Sequence, residues 1–325
     1  MTSTFSLKTL IVDFYNGICA SLAIHKAWPV FLKSYKVRYR TAQSFLFNGI
    51  IYLTSIMLVE YTIFPLIRHV IGTLSGEEAG WVGFFLEGIT WIFYHIFWLL
   101  PLYVISLILN MTTVTEVAED TFKVVGLPHD KSSSVSNLIS DMLFESLFLA
   151  MCMAVAGGVD ILVMLSPYIS KLLLLFYPVS FFYWAWIYAF CAFNTKWKLQ
   201  GVGIIRRVGS IESNMAFFAG FGTPLTALTY FYPNFFVNAV FYALFYPWLV
   251  IVACASCNDS SNPTLNPLLK EKNDENYVMM RVNRFPIFRL PQSIAQKLLT
   301  CLFKSKLEVK NDDKKIREKR EEEWE

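Results

Sequence analysis

No Lys, Arg, Asp or Glu occurs between Glu212 and Asp259. A membrane-crossing helix takes roughly 20 predominantly apolar residues, so this run is too long for one span and long enough for two. It is interrupted by Gly220-Phe221-Gly222-Thr223-Pro224 and by Tyr230-Phe231-Tyr232-Pro233-Asn234. Glycine lowers helix stability through backbone freedom, and proline removes an N–H donor and clashes with the preceding turn. The run therefore predicts a membrane hairpin whose first arm, over about 217–232, is broken or only partly penetrates the bilayer.

The rest of the chain agrees with that class. Charged residues make up 16% of the sequence and hydrophobic ones 55%, where soluble domains carry about 25% charged residues. The charges gather at the ends and in a few loops. Long apolar blocks exclude an outer-membrane barrel, which needs short alternating strands. The fold class expected is an all-α polytopic membrane protein with about six membrane-inserted helices, the last two forming the hairpin. Spans are expected near 44–71, 84–109, 138–165 and 167–193. Pro65 and Pro101 fall inside the first two as kink positions, and Gly157-Gly158 interrupts the third.

Three regions are expected. Residues 1–43 form a cytosolic basic segment, 44–255 the transmembrane domain, and 256–325 a cytosolic linker and charged tail. The first carries Lys8, Lys26, Lys33, Lys36, Arg38 and Arg40 against Asp13. Leu7, Ile11, Phe14, Ile18 and Leu22 recur at helical spacing there, so 5–35 reads as one or two amphipathic helices. They lie either in the membrane interface or packed under the membrane domain. No apolar core with a small-residue cleavage site lies near Met1, so the first membrane helix is expected to serve as the targeting signal.

Basic residues also mark 194–211, read as a loop, and the tail. Six crossings put all three basic regions in the cytosol with both termini. Residues 110–137 then form a cytosolic polar segment, with an amphipathic helix around Glu116, Glu119 and Asp120 that closes at Gly126-Leu127-Pro128. The sequons at Asn110 and Asn258 are expected to stay unmodified in this topology. In the tail, 293–306 reads as a basic amphipathic helix with Ile294, Leu298 and Leu302 on one face.

Ionisable residues inside the membrane blocks are candidates for function because they are costly there. They are Glu60, Glu87, His95, Asp141, Glu145 and Asp160. Asp141 and Glu145 are four apart and share a helix face, as a cation or proton site would need. They also suit the membrane interface, where acids cost little. Arg206 and Arg207 suit a lipid phosphate, an anion or a salt bridge with Glu212; they equally suit positive-inside anchoring.

Several functions find no support. The sequence holds no GxxxxGK[ST], HExxH or GxSxG pattern, and Gly201-Val202-Gly203 lacks the third glycine of a nucleotide fingerprint. His25, His69, His95 and His129 are isolated from one another. The six cysteines are scattered, and Cys254-Ala-Ser-Cys257 has no second pair or nearby His to complete a metal site. The chain is therefore read as a non-enzyme with no metal or other cofactor and no nucleic-acid partner. Membrane lipids are the expected contact of its basic amphipathic elements.

One segment carries a family likeness. Ile211-Glu212-Ser213-Asn214, followed by Phe217-Phe218-Ala219-Gly220-Phe221-Gly222-Thr223-Pro224-Leu225, resembles the etoposide-induced 2.4 family of membrane proteins, whose pattern is approximately I-E-x-N-x-x-Y-F-x-G-F-G-x-P-L. The matching positions are Ile211, Glu212, Asn214, Phe218, Gly220, Phe221, Gly222 and Pro224. Phe217 stands where Tyr is commoner, and Met215 where Trp is. Ser134–Phe144, Glu116–Gly126 and Leu100–Ser106 are similar as well, so the likeness covers about 80–255 in order. It implies an endoplasmic-reticulum protein required for autophagy, acting where autophagosomal membranes form and mature and cargo is degraded, with cytosolic autophagy-related partners. It also implies distant kinship with the bacterial CysZ sulfate transporters, whose helices enter the membrane part way. An ion or sulfate-type anion channel is therefore the alternative expectation, with Gly220 to Pro224 as its first candidate site.

Overall fold

The computed structural model of the chain describes residues 7–75, 80–127, 135–169, 176–231, 235–255 and 286–300. Among them every regular element is helical. Two helices open the chain, α1 (Leu7–Ser21) and α2 (Ile24–Lys33). The Ser34 hydroxyl accepts the Val37 N–H at 3.2 Å and caps α3 (Tyr35–Phe45), as serine does where first-turn donors have no intrahelical acceptor.

From α3 the chain stays helical through wider π-helical turns. Leu46–Leu53 and Val59–Ile63 are π-helical and flank α4 (Thr54–Leu58), and α5 (Phe64–Ser75) follows. A third π-helical stretch, His95–Leu99, joins α6 (Gly80–Tyr94) to α7 (Leu100–Val125). Pro65 and Pro101 each sit just after such a stretch. The missing proline N–H thus falls where the hydrogen-bond ladder is changing register.

The remaining elements are α8 (Val135–Ile169), α9 (Phe176–Leu199), α10 (Ile204–Ser213), α11 (Met215–Tyr230) and α12 (Phe235–Ala255). A further helix, α13, occupies 289–300. α9 is central, with α8, α10, α11 and α12 all packed on it, and α11 lies between α9 and α1. A smaller apolar cluster of Ile56, Tyr94, Leu99, Val237, Val240 and Leu244 ties the long helix from α3 to α5 and the α6–α7 helix to α12. Phe93, Phe97, Ile161 and Met164 are exposed, an outer surface suited to lipid rather than water.

Five helical stretches among the described residues are long and apolar enough to cross a membrane: Leu7–Lys33, Tyr35–Val70, Leu143–Leu165, Phe176–Leu199 and Val237–Ala255. Gly88–Leu99 is a shorter apolar helix. The architecture is that of an all-α polytopic membrane protein.

Several local expectations are corrected. α8 runs unbroken through Gly157-Gly158. The second apolar block and the amphipathic helix after it are one helix, α7, which stops at Gly126 with φ 75°; the N–H groups of Gly126 and Leu127 both reach the Phe122 carbonyl. Residues 194–211 are no loop, because only Gln200–Gly203 separate α9 from α10. The tail helix begins at 289 rather than 293.

The largest difference concerns Gly220 to Pro224, which lie inside a continuous α11. Interruption comes earlier, at Asn214 (φ −124°, ψ 41°), where α10 ends and α11 starts. A broken backbone in lipid leaves N–H and C=O groups without partners, so helices there tolerate glycine and proline. At ~1.5 Å per residue α11 measures about 24 Å, short of the ~30 Å hydrocarbon core. It packs against α12, which follows it in the chain.

Candidate functional site

The glycines of α11 are contact surfaces. A Cβ at Gly220 would overlap the Phe14 carbonyl of α1, and one at Gly222 would overlap the Ala185 carbonyl of α9. Gly17 on α1 answers from the other side, meeting the backbone of Phe217 and Phe221. Three helices thus meet backbone to backbone at small residues, the arrangement that gives close packing in membranes. Phe218 and Phe221 fill the flank: both rings meet Phe193, at centroid distances of 5.1 and 4.8 Å.

Beneath this junction the chain turns from α9 into α10. The Val202 N–H reaches the Trp197 carbonyl and the Gly201 N–H the Lys198 carbonyl, with Gly201 at φ 72°. This is a Schellman stop, and it explains the Gly201-Val202-Gly203 sequence. It leaves the Val202 carbonyl facing Arg207, whose Nε donates to it at 2.6 Å.

Arg207 is buried, and its Nη1 donates to Asn194 Oδ1 at 2.8 Å and lies 3.5 Å from Glu145 Oε2. Asn194 Nδ2 donates to Glu145 Oε1 at 2.7 Å, and Lys198 Nζ approaches Oε2 at 3.4 Å. One carboxylate from α8, an amide and an ammonium from α9 and a guanidinium from α10 thus form a single network. Desolvated charges persist only when paired and hydrogen-bonded, which is how this corner holds Arg207.

Lys196, fully buried on α9, differs. Its Nζ lies 5.1 Å from the centre of the Phe193 ring and has no hydrogen-bond partner among the described residues. An ammonium over an aromatic face gains from the ring quadrupole. In the network itself two cations, Lys198 and Arg207, approach the one carboxylate of Glu145.

The sequence-derived candidates fall in different places. Glu145 and Arg207 come together, whereas Arg206 is exposed on the outer face of α10. Glu212 is buried and accepts the backbone N–H of Phe288 at 3.1 Å. Ile211 is fully buried, Asn214 donates to the Ser210 carbonyl at 3.2 Å, and Pro224 is half-buried within α11. Glu60 sits half-buried on the Val59–Ile63 turn within electrostatic reach of Tyr94. Asp160 accepts from Ser180 Oγ and, at 2.9 Å, from Trp184 Nε1. The side chains of Asp141, Glu87 and His95, and both sequon asparagines, lie outside the described residues.

Phe288 is the residue that sequence reading missed. It is fully buried, with its ring 5.6 Å from Phe148, 6.0 Å from Tyr183 and 6.2 Å from Phe190. It brings the tail back onto α8, α9 and α10. The local signal for it was Phe285-Pro286-Ile287-Phe288, an apolar tetrapeptide between Arg284 and Arg289. Among the described residues no group of three or more His, Cys, Asp and Glu converges as metal ligands would.

Known proteins give a matching frame. The chain is 26% identical over 286 residues to a protein named EI24 homolog from Arabidopsis thaliana, covering 77% of this chain and 84% of the relative. It is 24% identical over 303 residues to an EI24 homolog from Dictyostelium discoideum, covering 92% and 88%. No family model and no solved structure matches.

Proposed function

We propose a function from the premise that this chain is a multi-pass membrane protein of the EI24 family. It acts in autophagy at the endoplasmic-reticulum membrane, where autophagosomal membranes form and mature and their cargo is degraded, and it does so without catalysing a reaction. Its termini face the cytosol, where lipid and autophagy-related proteins are its contacts.

One observation carries the non-catalytic part of this reading. The residues behind the family likeness are committed to packing: Ile211, Phe218, Gly220, Phe221 and Gly222 are all buried between helices. A motif used that way builds a shape. The autophagy part rests on the likeness itself. The test is to tag the protein in its own cells, follow it against endoplasmic-reticulum markers, and delete its gene. Co-localisation, with cargo left undegraded in the deletion, supports the reading; a location in another membrane with normal cargo turnover contradicts it.

Two cations, Lys198 and Arg207, set against the Glu145 carboxylate, and the buried Lys196 ammonium elsewhere on α9, favour a second reading, a pathway for an inorganic anion. Purified protein in liposomes should then pass sulfate or chloride, and Lys196→Met should slow the flux. No flux above empty liposomes removes this reading and leaves the first intact.

A further inference from the structure

A cavity of about 270 Å³ opens between α3 and α7, away from the corner described above. Tyr35, Lys36, Tyr39 and Arg40 line it from α3, and Glu116, Glu119, Asp120 and Lys123 from α7. Three cations face three carboxylates, so the wall is neutral overall but strongly charged locally. An anion alone or a cation alone would meet as much repulsion as attraction there. A ligand carrying both signs a few ångströms apart would not.

Part of the charge is already paired. Arg40 forms an ion pair with Glu116 and lies over the Tyr39 ring, 6.0 Å from its centre. Lys123 Nζ donates to Asp120 Oδ1 at 2.9 Å. Two groups of opposite sign are left. Lys36 makes no ion pair or hydrogen bond among the described residues, and Glu119 acts on Lys123 only through its charge. The Tyr35 and Tyr39 rings stack at 6.2 Å beside them and stay exposed.

Depth in the membrane narrows the ligand further. The charge-free stretch after Arg40 begins at Thr41, and its mainly apolar part at Phe45. On α7 the apolar run ends at Met111, one turn or so before Glu116. At ~1.5 Å per residue Arg40 and Glu116 stand about 8 Å beyond the hydrocarbon and Lys36 and Glu119 about 12–14 Å along the helix axes, and each polar interfacial layer is about 5–8 Å thick. The cavity therefore opens at the outer edge of the phospholipid headgroup layer, within a side chain's length of it. Its volume falls just below the ~300 Å³ lower bound of ordinary small-molecule pockets, which suits a headgroup more than a metabolite.

We infer that the α3–α7 cavity binds the headgroup of a zwitterionic phospholipid. Lys36 meets the phosphate and Glu119 the headgroup ammonium, beside the Tyr35–Tyr39 pair, while the acyl chains follow the apolar continuation of the two helices. The Arg40–Glu116 pair ties the two walls together, and the Asp120–Lys123 pair stays within α7.

The test uses the purified full chain in a neutral detergent and follows thermal unfolding, since a ligand that binds only the folded state raises Tm once its concentration passes Kd, and further as it increases. The probes are dihexanoyl-phosphatidylcholine, dihexanoyl-phosphatidylglycerol and chain-free glycerophosphocholine. The zwitterionic lipid should protect at severalfold lower concentration than either of the others. Glu119→Lys should reverse the order of the two lipids, and Glu119→Gln, the gentler change, should bring them level. Lys36→Glu should weaken both. Equal protection by the two lipids in the unaltered protein would overturn the inference, as would a lipid order unchanged in both Glu119 variants. Protection by glycerophosphocholine at the same concentration as the lipid would place the ligand in solution and overturn the lipid assignment.

Discussion

The Glu212 carboxylate accepts the backbone N–H of Phe288 at 3.1 Å, across 76 positions of sequence. It joins the first acidic residue of the family-like motif to the start of the tail helix. Both residues are buried, so the bond lies out of competition with water. Hydrogen bonds to charged groups contribute about 1.5–3 kcal/mol, and neutral ones about 0.5–1.5. Glu212→Gln keeps an acceptor oxygen and should cost little, whereas Glu212→Ala leaves the Phe288 N–H bare and should lower Tm clearly in detergent. Equal effects of the two would show that the bond does not matter.

Phe288→Ala empties an aromatic pocket. Removing a buried phenyl ring costs about 3–5 kcal/mol in well-packed cores. Because the ring enters from the tail, the first consequence should be local. Hydrogen exchange and protease cleavage across 286–300 should rise sharply while α8 and α9 keep their protection. Unchanged exchange in 286–300 would show that the segment is held by something else.

The corner between α9 and α10 makes a prediction about pairs. Glu145→Ala leaves Arg207 and Lys198 without their carboxylate, and breaking a buried ion pair from one side costs about 3–5 kcal/mol. Replacing both partners, as in Glu145→Met with Arg207→Met, removes the stranded charge. The double variant should therefore unfold at a higher temperature than Glu145→Ala. Additive losses would show that the two residues do not act as a unit.

Lys196 makes the opposite prediction. Its ammonium is fully buried with a ring face nearby and no hydrogen-bond acceptor among the described residues. Replacing buried charge by an apolar side chain of similar volume is often neutral or stabilising, by about 1–4 kcal/mol. Lys196→Met should keep or raise Tm in detergent. A marked fall would reveal an anionic partner for Lys196.

Much of this architecture is legible in the sequence, and what is not has a physical cause. Apolar run length gives the class, because a bilayer sets the length of the element that crosses it. Gly126 is legible as a helix stop because its left-handed backbone is a local matter. Gly157-Gly158 and Gly220 to Pro224 mislead for the reason that breakers are weighed against water. In α11 the helix persists, and Gly220 and Gly222 serve the approach of Phe14 and Ala185. Pairing is the least legible level. Arg207 lies five residues from Glu212, yet it pairs with Glu145, on another helix. Nothing in the order of residues announces such a partner, and Phe288 shows the same for the tail.

Gly222 gives the sharpest structural test. Any side chain there meets the backbone of α9, so Gly222→Val should separate α11 from α9. The folded yield in detergent should fall far more than for Thr223→Val, one residue away and half-buried. Equal yields would mean that the helices do not meet as closely as the contact at Ala185 requires.

The central claim is a role in autophagic cargo turnover, and degradation of a cargo reporter in cells lacking the gene tests it most directly. The account predicts that cargo persists and early autophagosomal structures accumulate, and that the intact chain restores turnover while a Gly222→Val chain does not. Cargo degraded at the parental rate in a verified deletion would contradict it.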